Sequence, residues 1–352
     1  MTTSVLFSLL VLSAAGCTRR PASDPTEAPS PASQPAAPVP SIVELETLPS
    51  EPGPEPVAAR DRATYSERQI RGRQRRVFSV DFSTIDRPTT IESFQSAPHL
   101  SPLTQDRTGT CWSFGGTSFV ESELFRMRGY SPRLSVMYGV YSEYIEKTKH
   151  YVQTKGESGF PEGSQADAVI LRMKTYGTMP QSAYTGLVNG ETKHAHWPMR
   201  KEMRAYLSKV KEGKRWNEAV VVAKIKKIMN KYLGAPPEKF EVEGKEYTPQ
   251  EYMRDKLQFP VEEYVSFVSF KYFPFYTRGV HKVEDNWWKG DHYHNLPLDE
   301  WYELFRGAAK SGYTLGICGD TSEPGDGTEE DIAIIPSFDI AQEHINQDAR
   351  EY

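Results

Sequence analysis

The stretch that decides the fold is QDRTGTCWSF, residues 105–114. It opens a run in which apolar residues recur at helical spacing as far as Arg128, and Gly129 follows as a C-terminal stop. The spacing therefore predicts a helix over residues 111–128. Its predicted core face holds Phe119, Val120, Leu124 and Phe125, and its predicted water face holds Glu121, Glu123 and Arg126.

Cys111 is the first residue of this predicted helix. The helix dipole and the unpaired N–H groups at that end favour a thiolate over a thiol. Gln105 precedes it by six residues, across a turn that contains Gly109, and its side-chain amide can fold back toward the sulfur. Together with the backbone N–H of Cys111, that amide makes an oxyanion hole for a tetrahedral acyl intermediate. A cysteine without these neighbours would instead be read as an inert core residue.

The combination of Gln105, Gly109 and the run CWSF at 111–114 resembles the nucleophile region of papain-like cysteine peptidases. Segments further along the chain resemble the same family in the same order. They are LSVMY at 134–138, EGSQ at 162–165 and YGTMP at 176–180. Four more resemble the bleomycin hydrolase and aminopeptidase C branch, namely YVSF at 264–267, DNW at 285–287, NLPLDE at 295–300 and GYTLGI at 312–317.

This resemblance implies an α+β, papain-like fold with a helical lobe and a β-rich lobe. It implies a cysteine-type peptidase that forms a thioester acyl-enzyme at Cys111 and then hydrolyses it. Gln105 is the expected oxyanion donor, and Gly163 and Ser164 are expected to hold a peptide or protein substrate through main-chain groups. Trp112 is expected to contact the substrate beside the nucleophile. No cofactor is expected.

In this family a histidine is the general base, and an asparagine orients it. Neither residue has a match after Cys318. Only His344 follows, in an amphipathic stretch that predicts a surface helix. His281 and Asn286 have the required residue types, but they precede Cys318, which is the wrong chain order for the family. We therefore expect a chain that is truncated in the β-rich lobe, which leaves activity in question. The alternative function is an inactive, surface-tethered peptide-binding protein that keeps the groove.

Two other features have competing interpretations. His292 and His294 form a His-x-His pair that could touch metal, but no third ligand is evident, so an exposed loop and no metal site are predicted. Cys318 ends the apolar run that starts at Tyr313 and is predicted to be a free cysteine in a buried strand.

The N-terminal residues have the pattern of an export signal. Residues 5–16 are apolar, too few to span a bilayer, and end in small residues directly before Cys17. This arrangement resembles the lipobox of bacterial lipoproteins and predicts a signal peptide over residues 1–17, with Cys17 lipidated and held in a bacterial membrane. An ordinary secretory signal is the alternative. Either way, the protein is expected to be exported, as a periplasmic or cell-surface lipoprotein or otherwise as a secreted protein.

The rest of the chain divides by composition. Residues 21–56 include 11 prolines, so residues 18–74 are predicted to form a disordered tether. The peptidase domain is predicted to span 75–352, beginning near the strand-like alternation at 77–82, with a helical insertion at about 190–260. Residues 193–231 of that insertion hold 12 Lys or Arg against 3 Glu. Their apolar stripes favour packing on the peptidase body over a basic arm that binds anionic polymers or lipid head groups.

The composition excludes further classes of protein. With three cysteines in 352 residues, a disulfide framework is excluded. A formal net charge of −5 argues against a nucleic-acid binder and leaves a soluble globular body. The oligomeric state is left open.

Overall fold

The computed structural model describes residues 90–94 and 96–317, together with strand segments at 9–12, 63–70, 73–80, 326–327 and 332–333. Cys17, Cys318 and His344 lie outside these residues, so what was expected of them stays a prediction. The described elements belong to two units. The smaller unit holds two antiparallel strand pairs, β2 (Ala63–Ile70) with β3 (Arg73–Val80), and β9 (Asp326–Gly327) with β10 (Ile332–Ala333). The strand expected at 77–82 is thus observed at 73–80, and its partner β2 lies inside the predicted tether.

The larger unit is mixed helix and sheet, an α+β arrangement. Its helices are α1 (Cys111–Arg128), α2 (Val136–Gln153), α3 (Ala168–Tyr176), α4 (Trp197–Glu212), α5 (Glu218–Leu233), the short α6 (Pro249–Glu251) and α7 (Leu298–Lys310). A π-helical turn, Tyr252–Leu257, continues α6, and 3₁₀ turns occur at Ile91–Ser93 and Val261–Glu263. Among the described residues, every helix is too short or too polar to cross a membrane.

A four-stranded sheet accompanies these helices. Its strands are β1 (Leu9–Leu12), β6 (Tyr264–Val268), β7 (Arg278–Gly279) and β8 (Tyr293–Asn295), in the order β1-β6-β8-β7. The β6–β8 pair is parallel, whereas β1–β6 and β7–β8 are antiparallel. Edge strand β1 comes from the apolar run predicted to be a signal peptide. A separate hairpin joins β4 (Phe240–Val242) to β5 (Lys245–Tyr247).

One hydrophobic cluster joins helices α1 to α5 and extends to the β4–β5 hairpin and to Tyr264. Within it α1 packs on α3 and α2, and α2 packs on α5. The predicted helical insertion is part of this hydrophobic cluster. Four residues of α4 and α5 are at most 2% exposed, namely Met203, Leu207, Ile225 and Met229. The expectation that its apolar stripes pack on the body of the protein is therefore confirmed.

Helix α1 has the predicted bounds, and Gly129 ends it in the left-handed conformation at φ 73°. The predicted water face is wrong for two residues, since Glu121 and Glu123 are each 1% exposed. Each carboxylate has an arginine close in sequence, Arg133 for Glu121 at 3.0 Å and Arg126 for Glu123 at 2.7 Å, and further donors from elsewhere in the chain. Glu121 accepts the Leu134 N–H at 2.7 Å, and Glu123 accepts the Thr314 hydroxyl at 2.8 Å.

Two strand predictions also need correction. Residues 313–317, expected to form a buried strand leading to Cys318, have no regular structure, and Ile317 is 43% exposed. The alternating residues YVSFVSFKYF at 264–273 predict one strand, but only Tyr264–Val268 forms. Apolar alternation did not distinguish paired strands from extended connections that pack on a helix.

Candidate active site

Cys111 is the first residue of α1, and its thiol is free and exposed. The preceding residue, Thr110, caps the helix through its backbone carbonyl, which accepts the Ser113 N–H at 2.9 Å, whereas its side chain makes no cap. Helix geometry leaves the first N–H groups of α1 without intrahelical acceptors. Cys111 therefore lies at the positive end of an 18-residue helix, which is the position predicted for it.

The loop before Cys111 is held by its own side chains. The Thr108 hydroxyl donates to the Gln105 carbonyl at 2.8 Å and lies 2.6 Å from the Thr110 hydroxyl oxygen. Gln105 is half-buried, and among the described residues its amide has no hydrogen-bond partner, with Oε1 fully buried. The amide predicted to donate to an oxyanion is thus not committed to another acceptor. Its approach to a substrate stays a prediction.

The loop at residues 161–164 lies against the Cys111 region. Trp112, predicted to contact substrate, is 3% exposed, and its indole N–H donates to the Glu162 carbonyl at 3.3 Å. Ser164 is buried, and its hydroxyl donates to Glu143 at 2.6 Å. A methyl group on Gly163 would come within 2.5 Å of Asp285 Oδ1, so a larger residue at this position would have to displace the Asp285 carboxylate.

Lys147, on α2, fixes this loop from inside the protein. Its ammonium donates to the carbonyls of Pro161 at 3.0 Å and Gly163 at 2.5 Å, and it lies 3.5 Å from the Glu162 carbonyl. Burial lowers the pKa of Lys147 to about 8, against the opposing charge of Glu143. Because the Gly163 carbonyl is engaged, the predicted main-chain contact at this residue would use its N–H.

Glu162 belongs to the same loop, and the sequence predicted no role for its side chain. Its carboxylate lies 2.8 Å from His196 Nδ1 and 2.8 Å from Arg200 Nη1, and it accepts the Gly109 N–H. A carboxylate only accepts, so His196 donates through Nδ1. The sequence did not predict this group of residues, because His196 and Arg200 lie in a segment that was interpreted only as a basic insertion.

The remaining histidines do not form a site with Cys111 in the part of the chain that is described. Asn286 donates to the backbone carbonyl of His281 at 2.8 Å, so it does not orient the imidazole. The His281 ring is 1% exposed and bonded to the Tyr272 hydroxyl, and burial lowers its pKa to about 4. The interpretation of this pair as non-catalytic fits that geometry.

The His-x-His pair was predicted to lie in an exposed loop, and that prediction is wrong. The pair lies at strand β8, where both rings are half-buried. His292 Nε2 lies 2.6 Å from the buried Asp167 carboxylate, and the His294 ring stacks near Phe267. No group of three potential metal ligands occurs among the described residues. The two rings are therefore accounted for by the contact of His292 with Asp167 and by the packing of His294 against Phe267.

No family model matches the chain, and no curated protein matches it at a significant level. Support for a peptidase therefore comes from the motif residues and from the local geometry described above.

Proposed function

We propose that the chain is a cysteine-type peptidase of papain-like fold, with Cys111 as its nucleophile. The observation that carries the proposal is a free, exposed thiol at the N-terminus of α1, six residues after a glutamine whose amide has no hydrogen-bond partner among the described residues. Fixed donors beside a nucleophile are what acyl transfer requires, because charge develops on the carbonyl oxygen in the transition state.

The chemistry follows from these positions. The Cys111 thiolate attacks the peptide carbonyl carbon, and the negative charge on oxygen is stabilised by the Cys111 N–H and the Gln105 amide. Collapse of this intermediate breaks the C–N bond, and the leaving amine takes a proton from a general acid. Water then attacks the thioester, which releases the carboxylic acid and restores the thiol. The family's acid is a histidine, and among the described residues no histidine is bonded to Cys111.

That last observation favours a second candidate function, a peptide-binding protein that keeps the groove without turnover. The two functions share the loops at 105–110 and 161–164 and differ only in whether a proton donor serves Cys111. Binding and hydrolysis must therefore be measured separately.

The test uses a peptidyl vinyl sulfone, a fluorogenic peptide library and the full chain. We expect Cys111 to be labelled at least about tenfold faster than Cys318, because the residues around Cys318 do not predict an activated thiol. Cys111→Ala should abolish rapid labelling, while the matched Cys318→Ala should keep it. Equal labelling of both cysteines would refute the activated nucleophile. Hydrolysis that is lost in Cys111→Ala supports the peptidase, and peptide binding without hydrolysis supports the second function.

We also propose that Cys17 carries a lipid that anchors the exported protein. Metabolic labelling with an alkynyl fatty acid should mark the wild-type chain in the membrane fraction, and Cys17→Ser should remain unlabelled. An unlabelled wild-type chain in the culture medium would instead support the secretory signal.

A further inference from the structure

We propose that Glu162 is a positioning residue, which holds the loop at 105–110 against the loop at 161–164 and so sets the oxyanion donors beside Cys111. This inference rests on the proposed function. It assigns to one carboxylate the role of joining the two sides of the candidate groove.

The first support is the set of donors around the Glu162 carboxylate. His196 and Arg200 each approach one of its oxygens at 2.8 Å, and the Gly109 N–H donates to it as well. Burial alone would raise the pKa of Glu162, but the hydrogen bonds from His196 and Gly109 and the charge of Arg200 lower it overall. The carboxylate is therefore ionised at neutral pH, and charge-assisted bonds of this kind are stronger than neutral ones.

The second support is that Glu162 contacts the chain on both sides of Cys111. Its carboxylate binds the N–H of Gly109, two residues before the nucleophile, and its carbonyl accepts the indole N–H of Trp112, one residue after it. A methyl group on Gly109 would lie 3.1 Å from Glu162 Oε2, which shows how closely the two loops approach.

The third support is that the same bonds close a ring around the loop. Asp106 Oδ2 accepts the His194 N–H at 3.0 Å, and the Arg107 N–H donates to the His194 carbonyl at 3.1 Å. Two residues further on, His196 binds Glu162, which returns to the loop at Gly109. The loop is thus fixed at several backbone points, and removal of Glu162 opens the ring at its link to residue 109.

The test compares Glu162→Ala and Glu162→Gln with a matched control, Glu157→Gln, whose carboxylate is exposed and nearby in sequence. A tripeptidyl aldehyde forms a reversible tetrahedral adduct with a cysteine and reports on the oxyanion donors. Iodoacetamide alkylation reports on the ionisation and accessibility of the thiol and does not depend on the oxyanion donors. Hydrogen–deuterium exchange of the peptide covering residues 105–111 reports directly on the loop, and it does not depend on activity.

We expect both Glu162 variants to bind the aldehyde at least about tenfold more weakly, because loss of one oxyanion donor costs about 10²–10³ in rate and displacement loses part of that. Alkylation by iodoacetamide should stay within about twofold, since the helix end is retained. Exchange at residues 105–111 should accelerate at least about fivefold while Glu157→Gln behaves like the wild type.

If the Glu162 variants do not fold, Gly109→Ala provides the second test. It keeps every charge but pushes the Glu162 side chain, which would lie 3.1 Å from the added methyl group, away from residue 109, and it should show a loss of aldehyde affinity with unchanged alkylation. Unchanged loop exchange in a folded Glu162→Ala, or faster exchange with unchanged aldehyde affinity, would overturn the positioning role. If the wild type forms no Cys111-dependent adduct, the proposed function fails, and the oxyanion role of Glu162 fails with it.

Discussion

The packing of α1 on α3 makes a sharp prediction about two adjacent glycines. Gly116 is buried, and a methyl group there would lie 2.6 Å from Val169 Cγ2 and 2.8 Å from the Ala166 carbonyl oxygen. At Gly115, on the same helix, a methyl group would meet nothing within 4 Å. Gly116→Ala and Gly115→Ala are therefore matched changes that differ only in what faces them.

The magnitudes follow from these distances. Both variants gain about 0.5–1 kcal/mol from replacing glycine inside a helix. For Gly116→Ala, ordinary contact begins near 3.4 Å, so Val169 must move by about 0.8 Å and the Ala166 backbone by about 0.6 Å. Overpacking costs about 1–3 kcal/mol, and a backbone neighbour, which cannot rotate away, puts this case at the upper end. The two variants should thus differ by about 3 kcal/mol.

Thermal and urea denaturation followed by circular dichroism measure this difference. At about 2–4 °C per kcal/mol for a unit of this size, Gly116→Ala should melt about 6–12 °C below Gly115→Ala. The urea midpoint should fall with an unchanged slope. Melting temperatures within about 2 °C of each other would refute the close approach of α1 to α3, and with it the fixed placement of the helix that carries Cys111.

Three further predictions concern buried polar groups. Burial lowers the pKa of His281 to about 4 in the folded protein, so the stabilisation from its neutral form is fully present above its ordinary pKa of 6.5 and is lost as the pH falls toward 4, because the unfolded chain takes up the proton first. Between pH 7 and 4 the free energy of unfolding of the wild type should fall by about 3 kcal/mol more than that of His281→Phe, and equal losses would contradict this. Lys147→Met should cost about 3–5 kcal/mol by leaving the loop carbonyls and a buried carboxylate without their cation, whereas the part-exposed Lys149→Met should cost at most about 1 kcal/mol in the same assay. Asn295→Ala should cost about 2–3 kcal/mol, because its buried amide donates to two loop carbonyls and accepts the Phe270 N–H; a melting temperature equal to the wild type would argue against those bonds.

Local patterns anticipated much of the helical part of the molecule. The bounds of α1 and the apolar stripes of α4 and α5 follow from helical spacing and from a terminating glycine. These signals act within a few residues of one another, so they are readable without the fold. Strands were harder, as residues 313–317 illustrate, because a strand also needs a partner to pair with.

The candidate site shows the same division. Cys111 and Gln105 were predicted from residue types and spacing, and the loop at 162–164 from the family resemblance. Lys147, His196 and Arg200 were not, because a lysine inside an otherwise amphipathic helix and a histidine in a basic segment are ordinarily assigned to the surface. Their roles became visible only when the loop carbonyls and the Glu162 carboxylate were found beside them.

The sequence by itself determined where α1 begins and ends and which thiol stands at its N-terminus, because helix termini depend on neighbouring residues. Only the tertiary structure decided that Glu121 and Glu123 are buried and that Glu162 joins the two loops. A buried charge is tolerable only where donors converge on it, and besides the nearby Arg126 and Arg133 these donors include Thr314 and Arg200, far away in the chain. Such convergence is a property of the folded molecule and has no local pattern.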